Sequence, residues 1–211
     1  MSATPPPTHP HEAAGKLVLL RHGETEWSKS GQHTGRTDLP LTEHGEVLAR
    51  AAGKLLTGYN FALQLASPLQ RAQRTAQLAG LSPQTEEDLL EWDYGGYEGR
   101  TTKEIRAELG YAWSVFRDGV VPGQTPGETV EEVAARASRV LARVIPALAD
   151  GDVALVGHGH ALRILTTVFL RQEVRMAAQL LLDAGSVSVL QFEREQPAVR
   201  TWNRLPSLPT D

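Results

Sequence analysis

The sequence contains no cysteine and only 2 methionines among its 211 residues. A chain without cysteine cannot form disulfides, thiolate nucleophiles, iron–sulfur clusters or cysteine-ligated zinc sites. A basic excess is also absent, because 21 Lys and Arg residues face 25 Asp and Glu residues, which gives a formal net charge of −4. This charge balance argues against a protein that binds nucleic acid or an anionic membrane surface.

Long apolar runs are missing as well. The longest ones, such as 17–20 and, with an intervening serine, 187–190, are far shorter than the roughly 20 residues that cross a bilayer. The N-terminal segment contains Pro5, Pro6 and Pro7 but lacks the basic and apolar blocks of a signal peptide. The sequence therefore predicts a soluble, cytoplasmic protein with no membrane partner.

The composition along the chain favours one domain. Residues 1–15 are rich in Pro, Thr and Ala, and residues 206–211 contain two further prolines, so both segments are predicted to be flexible tails. Between them there is no linker composition, fixed-period repeat or heptad series. We therefore predict a single domain over residues 16–205, which is long enough to bury a core.

Short apolar runs predict the strands of a buried sheet. Residues 17–20 and 153–156 are unbroken apolar runs, which suit strands covered on both faces of a parallel sheet. Residues 63–66 are a weaker third candidate. Residues 186–192 alternate polar and apolar side chains, which predicts a half-buried strand near an edge, paired in a hairpin with 199–205.

Helical patterns alternate with these strands. Thr42 is predicted to cap the first helix, and Ser67 followed by Pro68 predicts the start of the second. Alternating strands and helices predict an α/β fold, a three-layer α/β/α sandwich with a mainly parallel central sheet and an antiparallel edge strand. Ligands in such folds bind beyond the carboxyl ends of the strands. The predicted helices cover 42–56, 67–79, 101–109, 128–148 and 161–170.

Histidines follow two of the predicted strands at the point where each strand ends. The first strand runs into Arg21 and His22, and the apolar run at 153–156 leads through a glycine into His158 and Gly159. A lone histidine at a strand end is more often a surface residue than a catalytic one. Two strands that both deliver histidine beside glycine favour a shared site at the carboxyl edge of the sheet.

These motifs, taken in order, resemble the histidine phosphatase superfamily, which is also called the phosphoglycerate mutase-like family. A lone Arg-His-Gly would be a weak signal, but an ordered series over most of the chain is strong. The resemblance implies the phosphoglycerate mutase-like form of the predicted sandwich. The matching elements are RHGET at 21–25, TGRTD at 34–38, LTEHG at 41–45, SPLQRA at 67–72, Glu91 and VGHG at 156–159.

The resemblance implies a role for each residue of the pocket. His22 is expected to be the nucleophile that carries the phosphoryl group, and His158 the second pocket histidine, with Gly159 opening a helix toward the phosphate. Arg21 and Arg71 are expected to bind the phosphoryl oxygens. Phosphoryl transfer needs an in-line nucleophile and cations around the equatorial oxygens, and arginine forks match those oxygens well.

By the same resemblance, Glu91 donates a proton to the leaving alcohol and later activates water. Asp93 and Glu98 are rival carboxylates, and both are expected to be structural. Replacing Glu91 with Asn or Gln should slow release of the alcohol and leave phosphate binding nearly intact. The expected activity is greatest at mildly acidic pH.

A substrate-facing loop is implied around residues 34–36. Thr34 and Gly35 are expected to contact substrate, and Arg36 is expected either to reach a second phosphate or carboxylate or to be an exposed loop cation. Ser28 stands where many members of the family carry Asn for a phosphate contact, and serine can still donate one hydrogen bond. His33, beside this loop, is a further candidate for substrate contact.

His158 and His160 could instead be interpreted as a metal pair. Metal sites usually need three or four ligands, and the sequence has no accompanying cluster of His with Asp or Glu. His160 is therefore interpreted as a helix-start residue near the pocket. No metal and no organic cofactor are expected.

The acidic element decides between branches of the family. Phosphoglycerate mutases of this family carry Glu-Arg-His-Tyr-Gly and a later Arg-Arg pair, whereas residues 91–95 read EWDYG and Arg117 is the only basic residue between 110 and 126. This pattern resembles the acid phosphatase and sugar-bisphosphatase branch and predicts a metal-independent phosphatase acting on small phosphate monoesters. A cofactor-dependent phosphoglycerate mutase and a non-catalytic phosphate-binding module are the alternatives. The strand region at 186–205 could also pair in a homodimer.

Overall fold

The structure, a computed structural model, describes residues 15–208. The predicted tail at 1–15, apart from its last residue, lies outside the described residues, and so do residues 209–211 of the predicted C-terminal tail. Strands and helices alternate along the chain. They are β1 (Leu17–Arg21), α1 (Glu26–Ser30), α2 (Glu43–Leu55), β2 (Phe61–Ala66), α3 (Gln70–Leu78), β3 (Gln84–Thr85), α4 (Thr102–Leu109), α5 (Val115–Asp118), α6 (Val130–Ala147), β4 (Asp152–Gly157), α7 (Gly159–Phe169), β5 (Val187–Glu193) and β6 (Gln196–Arg204).

One six-stranded sheet has the order β3-β2-β4-β1-β5-β6. The pairs β3–β2, β2–β4 and β4–β1 are parallel, and β5 pairs antiparallel with both β1 and β6. The predicted parallel sheet with antiparallel pairing at one edge is thus confirmed. The strand that runs opposite to the others is β5, which lies one place in from the edge formed by β6.

Helices cover both faces of this sheet and bury its apolar strands. Side chains of α6 and α7 pack with Leu17, Leu19 and Leu155 on one face. Side chains of α2 and α3 pack with Val18 and Val156 on the other. Successive side chains of β1 point to opposite faces of the sheet and are buried in both cores. This explains why the sequence of β1 is an unbroken apolar run. No helix of residues 15–208 is long and apolar enough to cross a membrane.

A third core lies beyond the carboxyl edge of the sheet. Its members are aromatic and aliphatic side chains from several loops and from α4 to α7, among them Trp92, Tyr94, Trp113 and Phe116. Trp92 and Trp113 are fully buried, and the indole N–H of Trp92 donates to the Glu128 carbonyl at 2.7 Å. This aromatic cluster supports the long segment between β3 and α6, which has little regular structure of its own.

Two predicted details are wrong. Residues 187–190 of β5 are all buried. The hydroxyl of Ser188, within this range, accepts a hydrogen bond from the Asn203 N–H at 2.9 Å. The strand is therefore not half-buried. The helix predicted to start at Ser67 begins instead at Gln70, and its N-cap residue is Leu69, whose side chain cannot accept a hydrogen bond. The Ser67 hydroxyl is bonded to a histidine.

Candidate active site

The parallel pairing of β1 with β4 brings two histidines together. Arg21 lies opposite Gly157 in the register, and the His22 N–H donates to the Gly157 carbonyl at 2.9 Å. The next residue on the β4 side is His158, so the two rings meet with their centroids 5.1 Å apart and their planes tilted by 59°. Both histidines are buried, at 4% and 0% exposure.

The His22 ring is held in one tautomer. Its Nδ1 lies 2.7 Å from the carbonyl oxygen of Gly23. A carbonyl can only accept, so Nδ1 carries the proton and Nε2 keeps its lone pair. Burial and the positive charges of Arg71 and Arg21 lower the pKa of His22 well below its ordinary value. The ring is therefore uncharged and nucleophilic even in mildly acidic solution.

Arg21 brings an unsatisfied donor to the same place. Its Nη1 donates to the Leu182 carbonyl, whereas its buried Nε has no hydrogen-bond partner among the described residues. The backbone of Gly159 lies close to the Arg21 guanidinium, since a Cβ added to Gly159 would be 3.3 Å from the Arg21 Cζ. A buried donor without a partner is costly, and a bound anion would satisfy it.

His158 is fixed from both sides of its ring. Arg71 Nε donates to Nδ1 at 3.1 Å, so Nδ1 must be the accepting nitrogen and Nε2 must carry the proton. Nε2 in turn donates to the Ser67 hydroxyl at 2.7 Å. Burial and the nearby charge of Arg71 lower the pKa of His158 well below its ordinary value. Ser67 thus positions a pocket histidine instead of capping α3.

Arg71 also anchors the loop of residues 34–37. Its Nη1 donates to the Thr37 carbonyl at 2.8 Å, and its Nη2 donates to the carbonyls of Thr34 and Gly35 at 3.1 and 3.0 Å. From the other side, the Glu98 carboxylate accepts from the N–H groups of Gly35 and Thr37. Arg71 therefore joins this loop to His158.

Glu91 receives three backbone N–H groups. Its carboxylate accepts from Trp92 at 2.8 Å, from His160 at 3.0 Å and from Ala161 at 2.9 Å. The last two belong to the first turn of α7, where the helix leaves unpaired donors. The predicted helix started at residue 161, but α7 starts at Gly159, and Glu91 takes two of the N–H groups that were expected to face phosphate.

A cavity of about 260 Å³ opens beside these groups. Six of the residues predicted for the site lie on its wall, namely Arg21, His22, Ser28, Thr34, Glu91 and Gly159. Arg71 and His158 lie behind the wall, in contact with each other. The remaining wall residues are Gly31, Gln32, His33, Tyr94, Thr102, His160, Arg163 and Leu182.

Besides Arg71 and His158, three more of the residues predicted to contact substrate are bonded to other partners. The Ser28 hydroxyl donates to the Thr25 carbonyl at 3.0 Å and accepts from the Thr25 N–H as part of the cap of α1. The Gly35 N–H is taken by Glu98, and a Cβ at Gly35 would lie 2.4 Å from the Trp92 carbonyl. Arg36 lies off the cavity wall and pairs with Glu128 at 3.6 Å. Its position agrees better with the loop-cation alternative.

Among the wall residues, sequence reasoning missed Tyr94 and Arg163, whereas it had placed His33 and His160 beside the pocket. The Tyr94 hydroxyl is hydrogen-bonded to His160 Nδ1, and the His33 and Tyr94 rings are tilted by 42° with their centroids 4.7 Å apart. Arg163 follows Gly159 by one helical turn on α7. That spacing was the available signal for Arg163, because residues four apart lie on one helix face. Nothing local in the sequence indicated the Tyr94–His160 contact.

Asp93 and Glu98 both have structural partners. The Asp93 carboxylate accepts from the Gly95 N–H at 3.0 Å and from the Thr125 hydroxyl at 2.5 Å, which ties two loops together. Glu98 holds the loop 34–37 as described. In the part of the chain that the structure describes, no group of three or more His, Asp or Glu side chains is placed to hold a metal ion.

The buried histidines predict a loss of stability in acid. Burial lowers the pKa of His33 from 6.5 to about 4, so the folded protein keeps the ring uncharged while the unfolded chain is protonated below 6.5. The contribution is therefore complete above pH 6.5 and is lost as the pH falls from there toward 4. We expect His33 alone to remove roughly 3 kcal/mol from the free energy of unfolding over that interval.

Urea unfolding at several pH values between neutral and about pH 4 would measure this loss. A His33→Asn variant provides the control, because its free energy of unfolding should fall less steeply over the same interval. Equal slopes for the variant and the unmodified protein would show that His33 is already protonated in the folded state.

The structure is a three-layer α/β sandwich with two histidines and two arginines at the carboxyl edge of its sheet. This fold and this site define an α/β protein of a class that binds phosphate groups. The family described as histidine phosphatase superfamily (branch 1) matches residues 17–205. The chain belongs to this superfamily, as its motifs predicted, and it is an enzyme of that class.

Relatives of known name include both phosphatases and mutases. An acid phosphatase of Mycobacterium tuberculosis is 38% identical over 84% of this chain and 87% of its own length. A sedoheptulose 1,7-bisphosphatase of Saccharomyces cerevisiae is 36% identical over 73% of this chain and 67% of its own. A 2,3-bisphosphoglycerate-dependent phosphoglycerate mutase of Methylobacterium radiotolerans is 40% identical over 72% and 77%.

The fold is also found among solved structures. The structure of an open reading frame product from Mycobacterium tuberculosis superposes with a TM-score of 0.85 at 34% identity, covering 90% of this chain and 98% of that one. The predicted phosphoglycerate mutase-like fold is therefore confirmed. The relatives support phosphatase activity and leave the substrate open.

Proposed function

We propose that the protein is a phosphatase that hydrolyses small phosphate monoesters through a covalent phosphohistidine on His22. The observation that carries this proposal is the pairing of a free His22 Nε2 lone pair with the unpartnered buried Nε of Arg21. A nucleophile and an unsatisfied donor side by side on one cavity wall suit a phosphoryl group placed between them.

In the first step, Nε2 of His22 attacks phosphorus and the bond to the ester oxygen breaks. The Glu91 carboxyl group gives its proton to the departing oxygen, so the alcohol leaves neutral and the phosphoryl group stays on His22. In the second step, water attacks phosphorus and Glu91 takes a proton from it. The phosphorus–nitrogen bond breaks, phosphate is released, and His22 recovers its lone pair.

The positive charge for this reaction comes from side chains. Arg21 touches the cavity directly, while Arg71 acts from behind His158 and is the strongest charge lowering the pKa of His22. These two guanidinium groups supply the stabilisation that a metal ion gives in other phosphoryl transfers. EDTA is therefore expected to leave turnover unchanged. The low pKa of His22 is consistent with activity at mildly acidic pH.

A phosphoglycerate mutase is the second candidate, because relatives of that name match the chain. The mutases of this family carry an Arg-Arg pair in the segment after the acidic element, which the resemblance assigns to holding phosphoglycerate for the second transfer. Arg117, the basic residue that the sequence offers in the relevant segment, is exposed, pairs with Asp118 at 2.8 Å and lies off the cavity wall. This placement favours hydrolysis.

Hydrolysis of p-nitrophenyl phosphate across the pH range, with EDTA present, tests the proposal. Rapid quenching with labelled substrate should trap a phosphoprotein that is stable in base and labile in acid, as expected for phosphohistidine. A panel of sugar phosphates and other natural esters would then narrow the substrate. Isomerisation of 3-phosphoglycerate stimulated by 2,3-bisphosphoglycerate, without phosphate release, would replace the phosphatase by the mutase.

A further inference from the structure

A second cavity adjoins the one beside His22. This side cavity has a volume of about 200 Å³ and lies among α4, α5 and the first turns of α7. The two cavities share His33, Thr102, His160 and Arg163, which form the wall between them. Because Arg163 also lines the His22 cavity itself, a substrate whose phosphate lies beside His22 can direct its alcohol portion toward Arg163.

Arg163 lacks an acidic partner in this position. None of the ion pairs formed within residues 15–208 includes it. Arg163 lines both cavities, so its side chain borders the site. Burial lowers the pKa of Arg163, and the nearby Glu91 carboxylate partly offsets that effect without forming an ion pair with it.

The guanidinium is nonetheless held in place. Nε donates to the Ala177 carbonyl at 2.8 Å, Nη2 donates to the Ala178 carbonyl at 2.9 Å, and the Phe116 ring lies 4.7 Å from Cζ. A guanidinium has five N–H bonds, and the two donated here lie on the edge formed by Nε and Nη2. On the other edge, Nη1 and Nη2 each have an N–H group left, and this pair of donors has the geometry that binds a carboxylate.

We infer that Arg163 is a specificity-determining residue that binds a carboxylate on the alcohol portion of the phosphate ester. A carboxylate matches the site because one anionic charge balances one guanidinium, whereas a second phosphate would leave excess negative charge in a partly buried place. The neighbouring rings of His33 and His160 are uncharged and do not compete for the anion. The inference rests on the proposed function, since the phosphate must occupy the His22 cavity.

Calorimetric binding to His22→Ala protein tests this site without turnover. The ligands are 3-phosphoglycerate and glycerol 3-phosphate, which differ by a carboxylate against a hydroxymethyl group. We expect 3-phosphoglycerate to bind about 10- to 100-fold more tightly, which is the range for a charged hydrogen-bonded pair. Adding Arg163→Met should bring this affinity ratio close to one. Arg163→Lys keeps the charge without the fork and should retain part of the ratio.

Arg200→Met serves as the matched control, because Arg200 is exposed on the edge strand β6 and lines neither cavity. The ratio should be unchanged in that variant. Equal affinity for both ligands in protein that retains Arg163, or a preference that survives Arg163→Met and Arg163→Lys, would overturn the inference. Tighter, Arg163-dependent binding of glycerol 1,3-bisphosphate than of 3-phosphoglycerate would overturn the choice of a carboxylate. If the wild-type protein hydrolysed no phosphate ester but the affinity ratio of the two ligands were as expected, the proposed phosphatase activity would be rejected. The carboxylate site at Arg163 would still be supported.

Discussion

His22→Ala is expected to lower kcat for p-nitrophenyl phosphate by at least about 10⁴-fold, because the phosphoryl group loses its acceptor. The buried Nε of Arg21 remains in the variant, so the affinity for inorganic phosphate should change far less. Steady-state kinetics and phosphate titration on the same preparation would separate the two effects. The trapped phosphoprotein should disappear together with the turnover.

His44→Ala is the matched control, since His44 is exposed on α2 and its loss removes one imidazole without touching the site. It should retain full activity and full labelling. Residual labelling of His22→Ala at the wild-type level would assign the covalent intermediate to another residue, and His158 would then be the first to examine.

Glu91→Gln is expected to have an effect that depends on the leaving group. An alkyl phosphate needs a proton on its departing oxygen, so its turnover should fall roughly 10²- to 10⁴-fold. p-Nitrophenol leaves without that help, so one equivalent should be released in a burst and followed by slow turnover, because the variant also lacks the base that activates water. Stopped-flow absorbance would show the burst directly.

The substitution has a structural cost that must be measured alongside. An amide nitrogen placed where a Glu91 oxygen accepts from His160 or Ala161 would face another donor, which costs about 1–3 kcal/mol of unfolding free energy. Glu98→Gln is a suitable comparison, because it removes a nearby carboxylate other than the proposed acid. Its amide oxygen can keep the Gly35 and Thr37 N–H groups, since both donate to Oε1. If Glu91→Gln slowed both substrates equally and gave no burst, Glu91 would be positioning α7 and not transferring protons.

The sequence predicted the centre of this fold well. Unbroken apolar runs identified β1 and β4, and the polar residues that follow them identified His22 and His158. Both signals are local: burial on two faces requires an apolar run, and the strand ends where polar residues begin. Thr42 likewise predicted the start of α2, because a residue whose side chain caps a helix lies next to that helix in the sequence.

The serine side chains show why local sequence signals are ambiguous. Ser67 has the sequence of a helix cap but bonds to His158, which is 91 positions away along the chain. Ser28 lies on the cavity wall, where a phosphate contact was predicted, and it also completes a capping box with Thr25. Small polar side chains have several competing partners, and only the folded arrangement selects among them. Arg163 was missed because its lack of an acidic partner is a property of the tertiary structure.

The loop 34–37 is held almost entirely through its main chain. Arg71 donates to three of its carbonyls and Glu98 accepts from two of its N–H groups, while the side chains of Thr34, Arg36 and Thr37 are not used by either anchor. These positions can therefore be replaced by other residues without releasing the loop from His158. Of these positions, Thr34 lies on the cavity wall, so its replacement can change which alcohol fits while the phosphate chemistry stays constant, provided that Gly35 keeps its close approach to Trp92.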